Sequence, residues 1–135
     1  MVKAVLDTNI LVSALFWRGA PYRCVVAAEA GLFELIIADS IMEEFAEVLA
    51  EKILLSKDEI AEAVSLIQKI GRTVEISGEL RAVKADADDD KFLEAALAAG
   101  ADYVVSGDRH LIKLGRFQTV QILAAQAFLE RITQD

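Results

Sequence analysis

Apolar residues along this chain follow two rhythms. Short unbroken runs rich in β-branched residues recur at Val2–Leu6, Phe33–Ile37, Thr73–Ile76, Tyr103–Val105 and Thr119–Leu123. Runs of that length, bounded by polar residues, predict buried strands. Between them the apolar positions change to helical spacing. Ile10–Trp17 predicts a helix, and Pro21–Ala30 a second one with Pro21 at its first position and Gly31 as its stop. Ser40-Ile41-Met42-Glu43 has the form of a capping box, with Ser40 as N-cap of a helix reaching about Ala50. Ser56-Lys57-Asp58-Glu59 repeats the form, and the helix behind it buries Ile60, Ala63, Val64, Ile67 and Ile70 before Gly71. A helix starting at Asp88 or Asp89 ends at Gly100. A helical turn follows near Arg109–Leu114, and a last helix spans Ala124–Ile132.

Strands alternating with helices imply right-handed crossovers and a mostly parallel sheet of about five strands, covered on both faces. The expectation is a single three-layer α/β/α domain over residues 1–135. In such sheets ligands bind outside the carboxyl ends of the strands. Four acids fall on that edge. Asp7 closes the first run, and Glu44 lies one turn into the helix after the second. Asp89 sits in Asp86-Ala87-Asp88-Asp89-Asp90, and Asp108 follows the run ending at Gly107. Each is near a helix N-terminus, where capping alone explains a carboxylate. Their convergence needs more than capping. Carboxylates a few ångströms apart repel, and without a cation some must protonate. With no cation expected among them, a hard dication, Mg²⁺ or Mn²⁺, relieves the repulsion with oxygen ligands and retained waters. Such a centre suits phosphodiester hydrolysis, where the ion activates a water and offsets phosphoryl charge. No Ser/His/Asp constellation and no glycine-rich phosphate loop offers another route.

Charge sharpens this picture. The formal net charge is −8 and the pI about 4.7, so the chain does not gather nucleic acid through its overall field. A polyanionic substrate requires the bound cation and a local basic patch. Arg109, Lys113 and Arg116, with Arg18, are the candidate phosphate contacts, and Arg23 is a further one. A solvated face is the plain alternative for all of them, and His110 reads as a surface histidine. Phe16 and Trp17 could stack a base, although core or dimer packing explains them as well. Hydrophobic residues make up 55% of the chain, above the usual share of about 45–50%, which hints at an oligomer interface. Cys24, the only cysteine, excludes an intramolecular disulfide and reads as buried. No apolar run approaches the roughly 18 residues of a membrane span. No signal peptide is evident, so the cytoplasm is expected.

The acidic segments resemble the motifs of PIN-domain nucleases, in order and across nearly the whole chain. Val5-Leu6-Asp7-Thr8-Asn9-Ile10-Leu11-Val12-Ser13-Ala14-Leu15 is similar to the family's opening motif. Ser40-Ile41-Met42-Glu43-Glu44-Phe45 with Val48-Leu49 is similar to its second. Asp86 to Ala96 resembles the third, and Val105-Ser106-Gly107-Asp108-Arg109-His110-Leu111-Ile112 the fourth. The resemblance implies a divalent-metal-dependent ribonuclease, like the VapC-like toxins of toxin–antitoxin pairs, with a small antitoxin as partner and commonly a homodimer. Asp7, Glu44, Asp89 and Asp108 would form the metal-binding quartet, supported by Asn9 and Ser106. Ser106 stands where the family usually has Thr, and the hydroxyl is kept. The third motif departs further, with Asp86-Ala87 for Asp-Pro and Asp89-Asp90 for Asp-Asn. A helix starting at Asp89 turns Phe92, Leu93 and Ala96 inward, which favours Asp89 over Asp90 as the ligand. Asp86 is a candidate outer ligand through water.

Other classes fit less well. A signalling receiver domain is also a short acidic α/β domain with a Mg²⁺ pocket. It needs an Asp after the central strand and a Lys after a late one; here Ser77-Gly78 and Ala124 stand there. A phosphatase of the haloacid-dehalogenase kind needs a second Asp where this chain has Asn9. A catalytically idle PIN-like interaction module has no reason to keep four repelling carboxylates.

Overall fold

The computed structural model describes residues 1–81 and 89–133. In chain order the elements are β1 (Lys3–Leu6), α1 (Thr8–Phe16), α2 (Ala20–Glu29), β2 (Glu34–Ile37), α3 (Asp39–Glu51), α4 (Lys57–Ile70) and β3 (Gly71–Thr73). They continue as α5 (Asp90–Ala99), β4 (Tyr103–Val105), α6 (Arg109–Leu114), β5 (Arg116–Phe117), β6 (Val120–Leu123) and α7 (Ala125–Ile132). The strands form one six-stranded sheet in the order β3-β2-β1-β4-β6-β5. All pairings are parallel except β5 with β6. Val5 of β1 stands in register with Ile36 of β2 on one side and Val104 of β4 on the other.

Successive residues of β1 and β2 are buried, not alternate ones. That pattern belongs to strands covered on both faces, and it explains why they read as unbroken apolar runs. The result is the expected three-layer α/β/α arrangement with a mostly parallel central sheet. Helix α5 packs across β1, β2 and β4, while α1 packs on α2 and α3, and α2 on α7. Phe33 and Phe128 meet edge to face with ring centroids 4.9 Å apart, and Tyr103 packs on Phe128 at 5.7 Å.

Strand order decides where a site can lie. From β1 the chain builds outward to β2 and β3, then returns to place β4 on the other side of β1. The carboxyl ends of β1 and β4 therefore flank the point where the order reverses, and a crevice opens there.

Several local expectations shift. The sheet has six strands, because Arg116–Phe117 forms a short antiparallel strand through a turn with Gln118 at φ 54°. A strand of two residues carries too little pattern to stand out in the sequence. The third strand is Gly71–Thr73, not Thr73–Ile76, since α4 passes into it with no loop. Ser40 does not cap α3. Ala38 is the N-cap, with no side-chain hydrogen bond, because β2 runs on to Ile37 and the extended turn falls at Ala38. The second box is present: the Glu59 amide donates to Ser56 Oγ at 3.1 Å, and the Ser56 amide donates to Glu59 Oε1 at 2.9 Å. Cys24 is fully buried, which pushes its thiol up to about 12 and leaves it unreactive near neutral pH. Among the described residues, no helix is long and apolar enough to cross a membrane.

Gly71 makes the direct passage from α4 to β3 possible. Its φ of −100° suits any residue, so glycine is there for space. A Cβ at this position would lie 3.1 Å from Ile37 Cδ1, Ile37 Cγ2 and the Ile67 carbonyl oxygen. The side chain of Ile37 can shift, but the Ile67 carbonyl belongs to the helix backbone. Gly71→Ala should therefore destabilise the fold by about 1–3 kcal/mol, the usual cost of overpacking. Urea denaturation gives the value, and a midpoint equal to that of the parent protein would contradict this account.

Candidate metal centre

The crevice at the carboxyl ends of β1 and β4 is a cavity of ≈ 230 Å³, lined by Asp7, Thr8, Asn9, Glu44, Val48, Lys52, Asp89, Phe92 and Asp108. Each acid comes from a different part of the chain. Asp7 follows β1 and caps α1, accepting from the Ile10 amide at 2.9 Å. Glu44 projects from the second turn of α3. Asp89 is the N-cap of α5, and Asp108 follows β4 and caps α6, accepting from the amides of His110 and Leu111. The carboxylates of Asp7 and Asp108 are thus oriented by the amides of the helices they open.

Ser106 joins the two strand ends. Its hydroxyl donates to Asp7 Oδ2 and accepts from the Asp108 amide at 2.9 Å. The strands are tied at the same level, since the Asp7 amide donates to the Val105 carbonyl at 3.0 Å. Thr8 supplies a second link, with Oγ1 donating to Glu44 Oε1. Asn9 lines the same cavity from an exposed position.

Asp7 is 3% exposed. Burial raises its carboxyl above the ordinary aspartate range. The Ser106 hydroxyl and the Ile10 amide pull it back, while the charges of Asp108 and Glu44 add to the rise. That Asp108 and Glu44 act on Asp7 shows three carboxylates close enough to feel one another.

The donor set consists of oxygens, which fits a hard dication such as Mg²⁺ or Mn²⁺ and not a thiolate-bound metal. Ligation is not closed, however. Among the described residues, no three His, Cys, Asp or Glu side chains converge closely enough to hold an ion as they stand. At Glu44 both carboxylate oxygens are engaged from within the chain. Lys91 Nζ lies 3.0 Å from Glu44 Oε2, and Thr8 holds the other oxygen. The expectation of acids without an interleaved cation is therefore corrected. Lys91 pairs with Glu44 from the first turn of α5, and Lys52 lines the acidic cavity from the end of α3. Lys91 is the only basic residue in the segment Asp86–Ala96, which was the available signal for it.

Asp89 and Asp90 part company. Asp89 lines the cavity with Asp7, Glu44 and Asp108, whereas Asp90 lines a neighbouring cavity with Ser40, Lys91 and Glu94. Asp86 lies outside the described residues, as does Asp88. Arg109, His110, Lys113 and Arg116 are exposed on α6 and β5, beside Asp108 but outside the cavity lining. Arg18 is also exposed and stacks over the Tyr22 ring at 5.1 Å, while Arg23 bonds Gln126 at 2.9 Å. Glu94, which the sequence left without a role, accepts from the amides of Gly78 and Leu80 and ties that segment to α5.

Comparison with known proteins identifies the family and the fold. The family model for the PIN domain matches residues 3–110, and the chain belongs to the PIN-domain family. PIN domains are generally nucleases and generally use divalent metals. Among solved structures, the chain resembles VapBC2 from Rickettsia felis, which was solved bound to a DNA fragment from its promoter. That match has a TM-score of 0.61 and 17% identity, over 90% of this chain and 97% of the other. PAE2754 from Pyrobaculum aerophilum matches with a TM-score of 0.58 and 14% identity, over 99% of this chain and 98% of the other. Comparison with curated proteins finds no match.

The raised carboxyl of Asp7 has a consequence for stability. A carboxyl held above its unfolded value favours folding only while it is protonated, and that contribution is lost as pH rises through the folded value. Above the ordinary aspartate value the Asp7 carboxyl therefore opposes folding of the metal-free protein. Asp7→Asn should raise the melting temperature by a few degrees at pH 7 in chelator. The gain should vanish below about pH 4, the ordinary aspartate value, where Asp7 is neutral in both states. Thermal melts across this range provide the check, and a destabilised Asn variant at pH 7 would contradict it.

Proposed function

We propose that the protein is a divalent-metal-dependent endoribonuclease that hydrolyses phosphodiester bonds, and that it is the toxin of a type II toxin–antitoxin pair. One observation carries the reading: Asp7, Glu44, Asp89 and Asp108 line a single cavity at the switch point of a PIN-domain sheet. Mg²⁺ or Mn²⁺ held there would supply an activated water and neutralise charge on the phosphoryl oxygens.

The chain's own groups have distinct tasks in this reading. Asp7, Glu44, Asp89 and Asp108 hold the ion, with Asp90 and Asp86 as alternative or outer positions. Ser106 keeps Asp7 and the start of α6 in fixed relation through its two hydrogen bonds. Asn9, on the rim, is placed to orient a water or a phosphate oxygen. Arg109 and Lys113 are on α6, the helix that Asp108 caps, and Arg116 follows it on β5; all three suit the phosphates of an RNA strand crossing the site. Arg18 is the candidate for a more distant phosphate.

A toxin role is supported by the likeness to VapBC2, although that likeness by itself establishes only the shared fold. Apolar side chains left in water offer seats for a protein partner, either an antitoxin or a second copy: Trp17 is 71% exposed and Leu32 55%. Cytoplasmic residence accords with this role.

The decisive measurement is RNA cleavage with and without Mg²⁺ or Mn²⁺. Asp7→Asn and Asp108→Asn keep side-chain shape and remove charge, and each should reduce cleavage more than about 100-fold. Ser106→Ala, which loses only the joint between them, should reduce it roughly 10- to 100-fold, as for other groups that position metal ligands. Full activity in Asp7→Asn would sink the assignment.

A further inference from the structure

Lys91 places an ammonium against a carboxylate that the nuclease reading gives to the metal. Its Nζ is 3.0 Å from Glu44 Oε2, and Thr8 Oγ1 donates to Glu44 Oε1. Both oxygens of Glu44 are thus engaged from within the chain. The pair is sheltered, with the Lys91 side chain 16% exposed and that of Glu44 29%. The ammonium also lies 4.9 Å from the centroid of the Phe92 ring, and Phe92 lines the acidic cavity. Shelter and the aromatic face both strengthen such a pair beyond a surface salt bridge.

A dication and an ammonium compete for Oε2. Ligation takes the lone pairs that Lys91 holds, and the two positive charges would repel at contact distance. The structure also offers Lys91 somewhere to go. The residue lines a second cavity, ≈ 430 Å³ in volume, whose walls include Asp90 and Glu94. A change of side-chain rotamer would take the ammonium off Glu44 and toward the carboxylates of this second cavity.

We propose that Lys91 is an internal counter-ion that holds Glu44 in the metal-free protein and competes with the divalent ion for it. The inference rests on the reading of the first cavity as a metal site. Lys91 acts through Glu44 and is a positioning residue. It offsets the repulsion among the acids when no ion is bound, and it lowers metal affinity below what the carboxylates alone would give. It also accounts for the open ligation, since Glu44 is drawn toward α5.

Calorimetric titration of the full chain with Mn²⁺ alone tests this, with no nuclease activity required. Lys91→Met should bind Mn²⁺ roughly three- to tenfold more tightly than the parent, a range set by the usual strength of partly sheltered ion pairs. Lys91→Arg, which keeps the charge, should stay within about twofold of the parent. Lys52→Met is the control for long-range charge, because it removes a cation from the same cavity lining. It should tighten binding less than Lys91→Met. Thermal melts in chelator establish that each variant is folded, and Lys91→Gln replaces the Met variant if that one is not.

Unchanged or weaker binding by folded Lys91→Met overturns the proposal. So does a Lys52→Met effect of equal size, which would mean a general field and no contest for Glu44. The parent reading fails separately if the unmodified chain binds no Mn²⁺, or if Asp7→Asn binds it equally well. Either result overturns both ideas, whereas binding that depends on Asp7 but not on Lys91 overturns only the second.

Discussion

The site depends on one buried hydroxyl. Ser106 donates to Asp7 and accepts from the Asp108 amide, so a single oxygen fixes the ends of two neighbouring parallel strands relative to each other. Ser106 is fully buried and Asp7 nearly so. A buried carboxylate is tolerated only when hydrogen bonds replace lost water, and here the Ser106 hydroxyl and the Ile10 amide do so. Those bonds do not fully offset the burial, which is why the Asp7 carboxyl remains raised. The fold thus keeps an unfavourable charge at the end of a central strand. Strain of this kind, held in place by surrounding structure, is common where a residue serves chemistry more than stability.

Topology turns that local fact into a site. Because β4 returns beside β1 after β2 and β3 have been laid down on the other side, the crevice between their ends stays open. The helices α1, α3, α5 and α6 begin around it, and each brings one acid within its first two turns. The four acids span 102 positions in sequence, from Asp7 to Asp108, yet line one cavity. Rigidity is unequal among them. Asp7 and Asp108 are bound to backbone amides of their own helices. Among the described residues Glu44 is held by the side chains of Thr8 and Lys91, which in the metal-binding reading makes it the corner suited to adjust to an ion.

Much of this was legible in the sequence, for specific reasons. Strands buried on both faces announce themselves as unbroken runs, so β1, β2 and β4 and their terminal acids could be read directly. The capping box at Ser56 was readable because side chain and backbone agree there. The same pattern at Ser40 failed, since the extended end of β2 moved the helix start two residues earlier and left Ala38 as the cap. The two-residue β5 and the shift of β3 to Gly71 depend on tertiary pairing, which local pattern does not record. At the site, the acids were visible because their crowding is unusual. Thr8 and Lys91 were not, because each is an ordinary choice for a helix start until its partner, 36 or 47 residues away, is known.

The charge balance of the molecule makes Lys91 more than a local detail. A chain of net charge −8 repels a polyanion at long range, so the proposed affinity for RNA would have to come from cations concentrated where the backbone lies. An empty quartet of carboxylates would deepen the repulsion at the very place where a phosphate must approach. An ammonium on Glu44 reduces that negative potential before the metal arrives. If a dication took Glu44, the lysine would turn toward the neighbouring cavity that it also lines, and the local balance would gain positive charge without loss of the lysine. The metal would then do two things at one site: complete the ligand set and turn an acidic crevice into one that accepts a phosphodiester. In the proposed nuclease reading, such a protein would bind its substrate backbone strongly only when loaded, and one ion pair would couple recognition to catalytic readiness.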